Sequence, residues 1–160
     1  MSINANWARW IFASVSKHFD DRKGILPLYI EGQHRDTSKF KEYLELRMDG
    51  PSWDEASKGY FIGNIDINVL VTVAVNEEDY HRPHQIAGEV QAAFTKSIDV
   101  FKFGCNIQDD QSYLGCLVLK QNRSNRDFVE LNQFGIIGTD DPLMQSTVEA
   151  HYKITFCVEE

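Results

Sequence analysis

Two histidines, His81 and His84, are the first candidates for chemistry, because they lie three residues apart. On one helix face, that spacing would let both imidazoles reach the same metal ion. Pro83 stands between them, however, and proline is typical of a helix N-terminus. The pair is therefore predicted to straddle a loop and a helix start, where a capping role is favoured over metal binding.

The other chemistry-bearing residues are acidic pairs and cysteines. Four acidic pairs could supply a general acid and base, but each falls in a predicted loop, where solvated carboxylates are the default. They are Asp20–Asp21, Glu77–Glu78, Asp109–Asp110 and Asp140–Asp141. Cys116 falls in an apolar strand pattern, which favours an inert thiol, and no GxSxG, Walker or GxGxxG motif occurs. The sequence therefore predicts no catalytic residue, no cofactor and no metal site.

Composition narrows the class of protein further. The 160 residues are 42% apolar and 25% charged, the profile of one ordinary soluble domain. A formal net charge of -8 means that the surface as a whole should repel a phosphate backbone. Cys105, Cys116 and Cys157 form no CxxC pair, which predicts reduced thiols in a cytosolic setting. No apolar run approaches the ~20 residues that span a membrane.

Hydrophobic periodicity divides the chain into helices and strands. Apolar residues at helical spacing from Trp7 to Phe19 predict one helix, and those from Pro83 to Phe94 predict another. Alternating patterns predict strands at 26–30, 40–48, 61–75, 100–103, 113–119, 128–134 and 148–158, with a turn-rich connection at 49–59 and a hairpin tip at 121–126.

The order of these elements predicts the fold class. Consecutive strands with short connections favour antiparallel pairing. Residues 1–160 are therefore expected to form a single α+β domain, with a mainly antiparallel sheet of about six or seven strands and two helices packed on one face. The strand over 61–75 is longer than a typical strand and should carry its hairpin beyond the core.

Two loops offer candidate contact residues. Trp53 lies beside Asp54 and Glu55 in the polar connection, where it either packs back on its own domain or anchors a contact with a neighbour. Arg123 and Arg126 form the only local basic concentration of an acidic chain. They predict either a soluble turn or a salt-bridging contact with an acidic neighbour.

The succession of elements resembles a known family. It combines a helix carrying Trp7-Ala8-Arg9-Trp10, a strand at Leu26–Ile30, a long hairpin built from Tyr43–Arg47 and Gly63–Val69, and a helix at Ile86–Phe94. In this order the elements resemble the tail terminator proteins of long non-contractile-tailed bacteriophages. The likeness covers most of the chain. The segment after Asp99 departs from the simplest members of the family, because additional strands and a loop at Gly135–Pro142 lengthen it.

The resemblance implies a structural role in the virion tail, assembled in the host cytoplasm. It implies a homo-oligomeric ring, a hexamer, that caps the head-proximal end of the tail tube, stops tube polymerisation and offers the surface onto which the head docks. The implied partners are other copies of the chain, the tail tube protein and a head-completion or neck protein. DNA would pass through the lumen without specific binding, and no membrane, catalytic residue or cofactor is implied.

Two alternatives stay open. A head-completion or neck connector protein would share the small size, acidity and ring assembly. A small cytosolic α+β ligand-binding protein or hydrolase would instead be a monomer or dimer with a deep polar pocket.

The apolar stripe of the first helix gives a direct prediction. Trp7, Ile11, Val15 and Phe19 should form one face buried against the sheet, since a helix with this stripe is stable only when the stripe is covered. Ile11→Asp should then lower the free energy of unfolding by several kcal/mol, because it buries an unpaired charge. Thermal denaturation measures this, and an unchanged melting temperature would contradict the placement.

Overall fold

Two helices and seven strands follow one another in a computed structural model that describes residues 3–24, 26–31, 41–76, 78–103, 112–121, 123–124, 126–138 and 142–157. The helices are α1 (Trp7–Arg22) and α2 (Arg82–Ala93). The strands are β1 (Leu28–Ile30), β2 (Glu42–Ser57), β3 (Tyr60–Ala74), β4 (Ser97–Lys102), β5 (Ser112–Leu119), β6 (Val129–Ile137) and β7 (Leu143–Cys157). Strands β1–β3 lie between the helices, and β4–β7 follow α2. The predicted α+β class and element order are confirmed.

All seven strands belong to one sheet, in the order β1-β2-β3-β7-β5-β4, with β6 also paired to β7. Strand β3 lies antiparallel to β7 from end to end. The opposite edge of β7 is divided, because β6 pairs with residues 143–150 and β5 pairs with residues 152–153. The sheet therefore forks along β7. Of the strands that the structure describes, only β1 and β2 pair in parallel, so the predicted mainly antiparallel sheet is confirmed.

The core lies between one face of the sheet and both helices. Ile11, Val15 and Phe19 of α1 are buried, as predicted. Trp7, the fourth residue of the predicted stripe, is half-buried at the start of the helix. Alternate residues of β3 from Ile65 to Val73 are buried in the same hydrophobic cluster as the helix residues. Both helices thus cover one face, and the other face carries mostly polar side chains.

Strand β2 extends well past its predicted end at Met48. The segment 49–59, predicted as a turn-rich connection, instead carries the strand as far as Ser57, opposite Tyr60. Gly50, with a φ of 108°, and Pro51 fall in a register shift that leaves both outside the ladder. A proline in such a bulge breaks no ladder hydrogen bond. The turn-forming residues therefore mark a bulge within a strand rather than a loop.

The predicted hairpin across residues 121–126 is also corrected. Strands β5 and β6 both pair with β7 and are not a ladder of their own. Their connection is closed only by an isolated bridge between Gln121 and Asp127. The alternation of the two segments is compatible with a hairpin, but their backbones pair with different stretches of β7.

Two buried side chains fix the connection between α2 and β4. The Nε2 atom of His18 in α1 lies 2.9 Å from the carbonyl oxygen of Ala93. The hydroxyl of Tyr152 in β7 donates to the carbonyl oxygen of Thr95 at 2.7 Å. Burial lowers the pKa of His18 and raises the pKa of Tyr152, so both side chains are neutral at pH 7. Neutral His18 donates from Nε2, and these bonds join α1, α2 and β7.

The lowered pKa of His18 predicts how stability depends on pH. In the unfolded chain this imidazole takes up a proton below its ordinary pKa of 6.5, whereas the folded protein holds it neutral to lower pH. The free energy of unfolding should therefore fall as pH decreases below 6.5, by up to about 1.4 kcal/mol per pH unit from this residue.

Urea denaturation between pH 7.5 and pH 5.5 measures this dependence. His18→Gln, which keeps an N–H donor, should reduce the slope, and His84→Gln on the exposed start of α2 is the matched control. Equal slopes for the parent and His18→Gln would contradict the assignment.

Candidate functional site

Trp53 lies on strand β2 and packs inside its own domain rather than projecting from a loop. Its ring centroid is 6.0 Å from that of Trp7 and 5.2 Å from that of Phe156, both edge-on. Phe61 and Phe156 stack at 5.6 Å beside it. This aromatic cluster fastens the outer ends of β2, β3 and β7 to the first turn of α1. Of the two alternatives for Trp53, the structure favours packing on its own domain.

The two acids beside Trp53 are exposed and form local hydrogen bonds. Asp54 Oδ2 accepts from Asn64 Nδ2 at 3.4 Å across the β2–β3 pair. Glu55 Oε1 accepts from the backbone N–H of Gly59 at 3.2 Å and closes the turn. Neighbouring residues of a strand point to opposite faces, so Asp54 and Glu55 do not form one acidic patch with Trp53.

The basic pair lies elsewhere in the fold. Arg123 and Arg126 are exposed on the loop whose base is the Gln121–Asp127 bridge. The structure thus places the five predicted contact residues in two separate regions, the outer β2–β3 hairpin and the fork of the sheet.

The histidines and cysteines are dispersed. His84 Nδ1 lies 2.7 Å from Gln133 Nε2 of β6, whereas the His81 ring lies against Tyr80, with centroids 4.0 Å apart. Cys116 is half-buried in β5, and Cys105 lies outside the described residues. Within the described ranges, no three His, Cys, Asp or Glu side chains are grouped to hold a metal ion.

The sheet face opposite the helices is polar and acidic; we call it the open face. Cross-strand pairing sets Asp49 opposite Asp66, and Glu130 opposite Glu149. His151 lies between two of these acids, because Nδ1 contacts Asp66 Oδ1 and Nε2 lies 3.9 Å from Glu149 Oε1. Like charges directly opposite each other are unfavourable in a sheet.

The last residues of β6 form an apolar edge. Phe134, Ile136 and Ile137 are 62%, 64% and 48% exposed. Strand β6 pairs with β7 on one side, and no other strand among the described residues pairs with its second side. Helix α2 holds its first half, through a 3.1 Å bond from Gln91 Nε2 to the carbonyl oxygen of Val129. An unpaired strand edge with exposed apolar side chains is a ready site for another chain.

No protein-family model matches this chain, and a search of curated proteins gives no match. Several chains of solved structures are similar to it, and one of them aligns with a TM-score of 0.57 and 17% identity, over 95% of this chain and 98% of that one. At this identity the likeness shows the fold alone. Neither helix in the described ranges is long and apolar enough to cross a membrane.

The position of Trp53 gives a prediction about Gly63, which lies directly opposite it. A Cβ added to Gly63 would lie 2.5 Å from Trp53 Cζ3, too close for any real contact. Gly63→Ala should lower the free energy of unfolding by about 1–3 kcal/mol through overpacking. In a Trp53→Ala background, the same change should cost much less, because the clash is gone.

Gly88→Ala in α2 is the matched control, since nothing lies within 4 Å of its added Cβ. It should instead raise the free energy of unfolding by about 0.5–1 kcal/mol, because alanine is the better helix former. Chemical denaturation of the four variants measures both effects, and additive costs at positions 53 and 63 would contradict the contact.

Proposed function

We propose that this chain is a structural subunit of a bacteriophage tail, a tail terminator that forms a ring at the head-proximal end of the tube. The observation that carries the proposal is the apolar edge of β6, where Phe134, Ile136 and Ile137 are exposed beside an unpaired strand. In this role the ring stops tube polymerisation and provides the surface for head docking. The protein then acts through its shape and contacts, without a chemical step.

A second free edge supports assembly into a ring. Strand β1 covers only Leu44–Leu46 of β2, and no other strand of the described chain lies along that edge farther out. The free edge of β6 and the free outer part of β2 therefore belong to two different edges of the sheet. Contacts between two different surfaces are heterologous, and they generate a closed ring when the rotation between copies closes. A hexamer is the ring that the resemblance implies.

The charge of the open face supports the same proposal. In a ring with this face inward, acids such as Asp49, Asp66 and Glu149 line the lumen. A negatively charged wall repels the phosphate backbone, so DNA passes without being held. The proposed partners are further copies of the chain, the tail tube protein and a neck protein.

The alternatives make different demands on the molecule. A ligand-binding protein or hydrolase needs a deep polar pocket. The pocket between α1, α2 and β1 holds only about 30 Å³ and is lined mainly by apolar residues such as Phe19, Leu28 and Ile86. The larger cleft beside β5 and β7, of about 600 Å³, is a surface opening rather than a deep pocket. A neck protein would share the ring and the acidic face. It differs in the defect that its loss produces.

Imaging and genetics test the proposal. The purified protein, mixed with tail tube subunits, should form six-fold rings by negative-stain electron microscopy. Ile136→Lys should abolish them by placing a charge on the β6 edge, while Tyr113→Lys, at an exposed apolar position on β5, should not. A phage lacking this protein should make normal heads and tails of abnormal length that cannot join them.

Each outcome is distinct. Tails of normal length that fail to attach would favour the neck protein, and fully infectious particles would contradict both roles. A monomer at every concentration, in the presence of tube subunits, would contradict ring assembly.

A further inference from the structure

The fork of the sheet opens a cleft of about 600 Å³ on the surface. Three lysines and one aspartate are among the residues that line it, together with apolar and amide side chains. These residues are Lys96, Val118, Leu119, Lys120, Gln121, Asp127 and Lys153. The lining therefore carries a net charge of plus two within a chain whose net charge is -8.

Backbone pairing brings the three lysines together. The carbonyl oxygen of Lys96 accepts the N–H of Leu119 at 2.9 Å, and the N–H of Lys120 donates to the carbonyl oxygen of His151 at 2.8 Å. Lys153 pairs directly with Val118 across the β5–β7 ladder. Three segments that are distant in sequence thus bring their lysines to the lining of one opening.

These charges are only partly neutralised within the cleft. Lys96 Nζ lies 3.5 Å from Asp127 Oδ2, and the Lys96 side chain remains 85% exposed. Asp127 is the one acid of the lining, so Lys120 and Lys153 have no carboxylate of their own within it. Converging ammonium groups create a local positive potential that attracts an anion. Arg123 and Arg126 lie on the loop beyond the Gln121–Asp127 bridge, and both residues of that bridge line the cleft.

We propose that this cleft binds a short acidic peptide segment of a partner protein. Carboxylates pair with the lysines, and the exposed side chain of Val118, at 43% exposure, offers an apolar wall for the peptide backbone. The cleft is a binding site in its own right and does not depend on ring assembly.

Charge favours a short segment over a nucleic-acid strand. The acidic open face begins beside the cleft. Lys120 of the cleft is hydrogen-bonded through its backbone to His151, and the His151 side chain contacts Asp66 and lies near Glu149. At 0.1 M salt, charges interact over about 10 Å, so a short peptide within the cleft senses chiefly the lysines. A strand that runs beyond the cleft crosses the acidic open face and is repelled.

Fluorescence anisotropy with a labelled tetra-glutamate peptide, short enough to stay within the cleft, tests the proposal. The wild-type protein should bind it saturably, more weakly as salt increases, and should not bind tetra-glutamine. Lys120→Gln with Lys153→Gln should weaken binding at least about tenfold. Lys17→Gln with Lys23→Gln removes the same charge from α1 and its C-cap, where these lysines pair with Asp21 and Asp20, and should leave the affinity within about twofold.

A measurement on the unaltered protein removes any dependence on folding of the variants. The peptide should protect Lys96, Lys120 and Lys153 from acetylation, measured by mass spectrometry, while Lys17 reacts as before. Absence of saturable binding, equal affinities for the two double variants, or protection that spares the cleft lysines would overturn the proposal. Tighter binding of a single-stranded oligonucleotide than of the peptide would also overturn it, in favour of a nucleic-acid site.

Discussion

Strand β7 is hydrogen-bonded along both of its edges, and the arrangement of the whole sheet depends on that. One edge carries β3 from end to end, and the other is shared by β6 and β5. A strand buried between neighbours needs apolar residues on the core side, and Val148, Ala150, Tyr152 and Ile154 supply them. Without β7, the β2–β3 hairpin and the β4–β5 pair would have no ladder in common.

The helices are secured to this frame by hydrogen bonds as well as by apolar packing. Tyr152 reaches from β7 to the carbonyl oxygen of Thr95, and His18 reaches from α1 to that of Ala93. In addition, the hydroxyl of Ser14 accepts the N–H of Phe101 at 3.0 Å, so α1 covers the edge of β4. A buried polar group that is left unpaired lowers stability, so these pairs specify how the helices dock.

Local patterns predicted the elements better than their partners. The alternation over 61–75 and the stripe of α1 each arise within one segment, so each was visible in the sequence; the alternation is confirmed, and so is the stripe apart from half-buried Trp7. The bulge at Gly50 could not be predicted from the sequence, because glycine and proline favour loops and bulges alike. The fork of the sheet was also missed, since the choice between β5 pairing with β6 or with β7 depends on distant residues.

The same limit applies to the surface features. Arg123 and Arg126 are close in sequence and stood out as a basic pair, whereas the three cleft lysines come from separate segments and did not. Trp53 was predicted to lie in a loop because turn-forming residues precede it, whereas strand β2 continues beyond the bulge that they form. Its position over Gly63 follows only from the register of β2 on β3. The predicted strand ended at Phe134, so Ile136 and Ile137 at the end of β6 were not predicted, and their exposure depends on which edge of β7 the strand β6 occupies.

The central place of β7 also has a consequence for synthesis on the ribosome. The chain emerges in order, and β7 is the last of the seven strands, although its longest partner, β3, precedes α2. Until β7 emerges, the edge of β3 that pairs with β7 is bare, and the helices have no complete sheet to cover. Such nascent intermediates attract chaperones and are prone to pairing with other chains. The sheet can therefore be completed only after all seven strands have been translated.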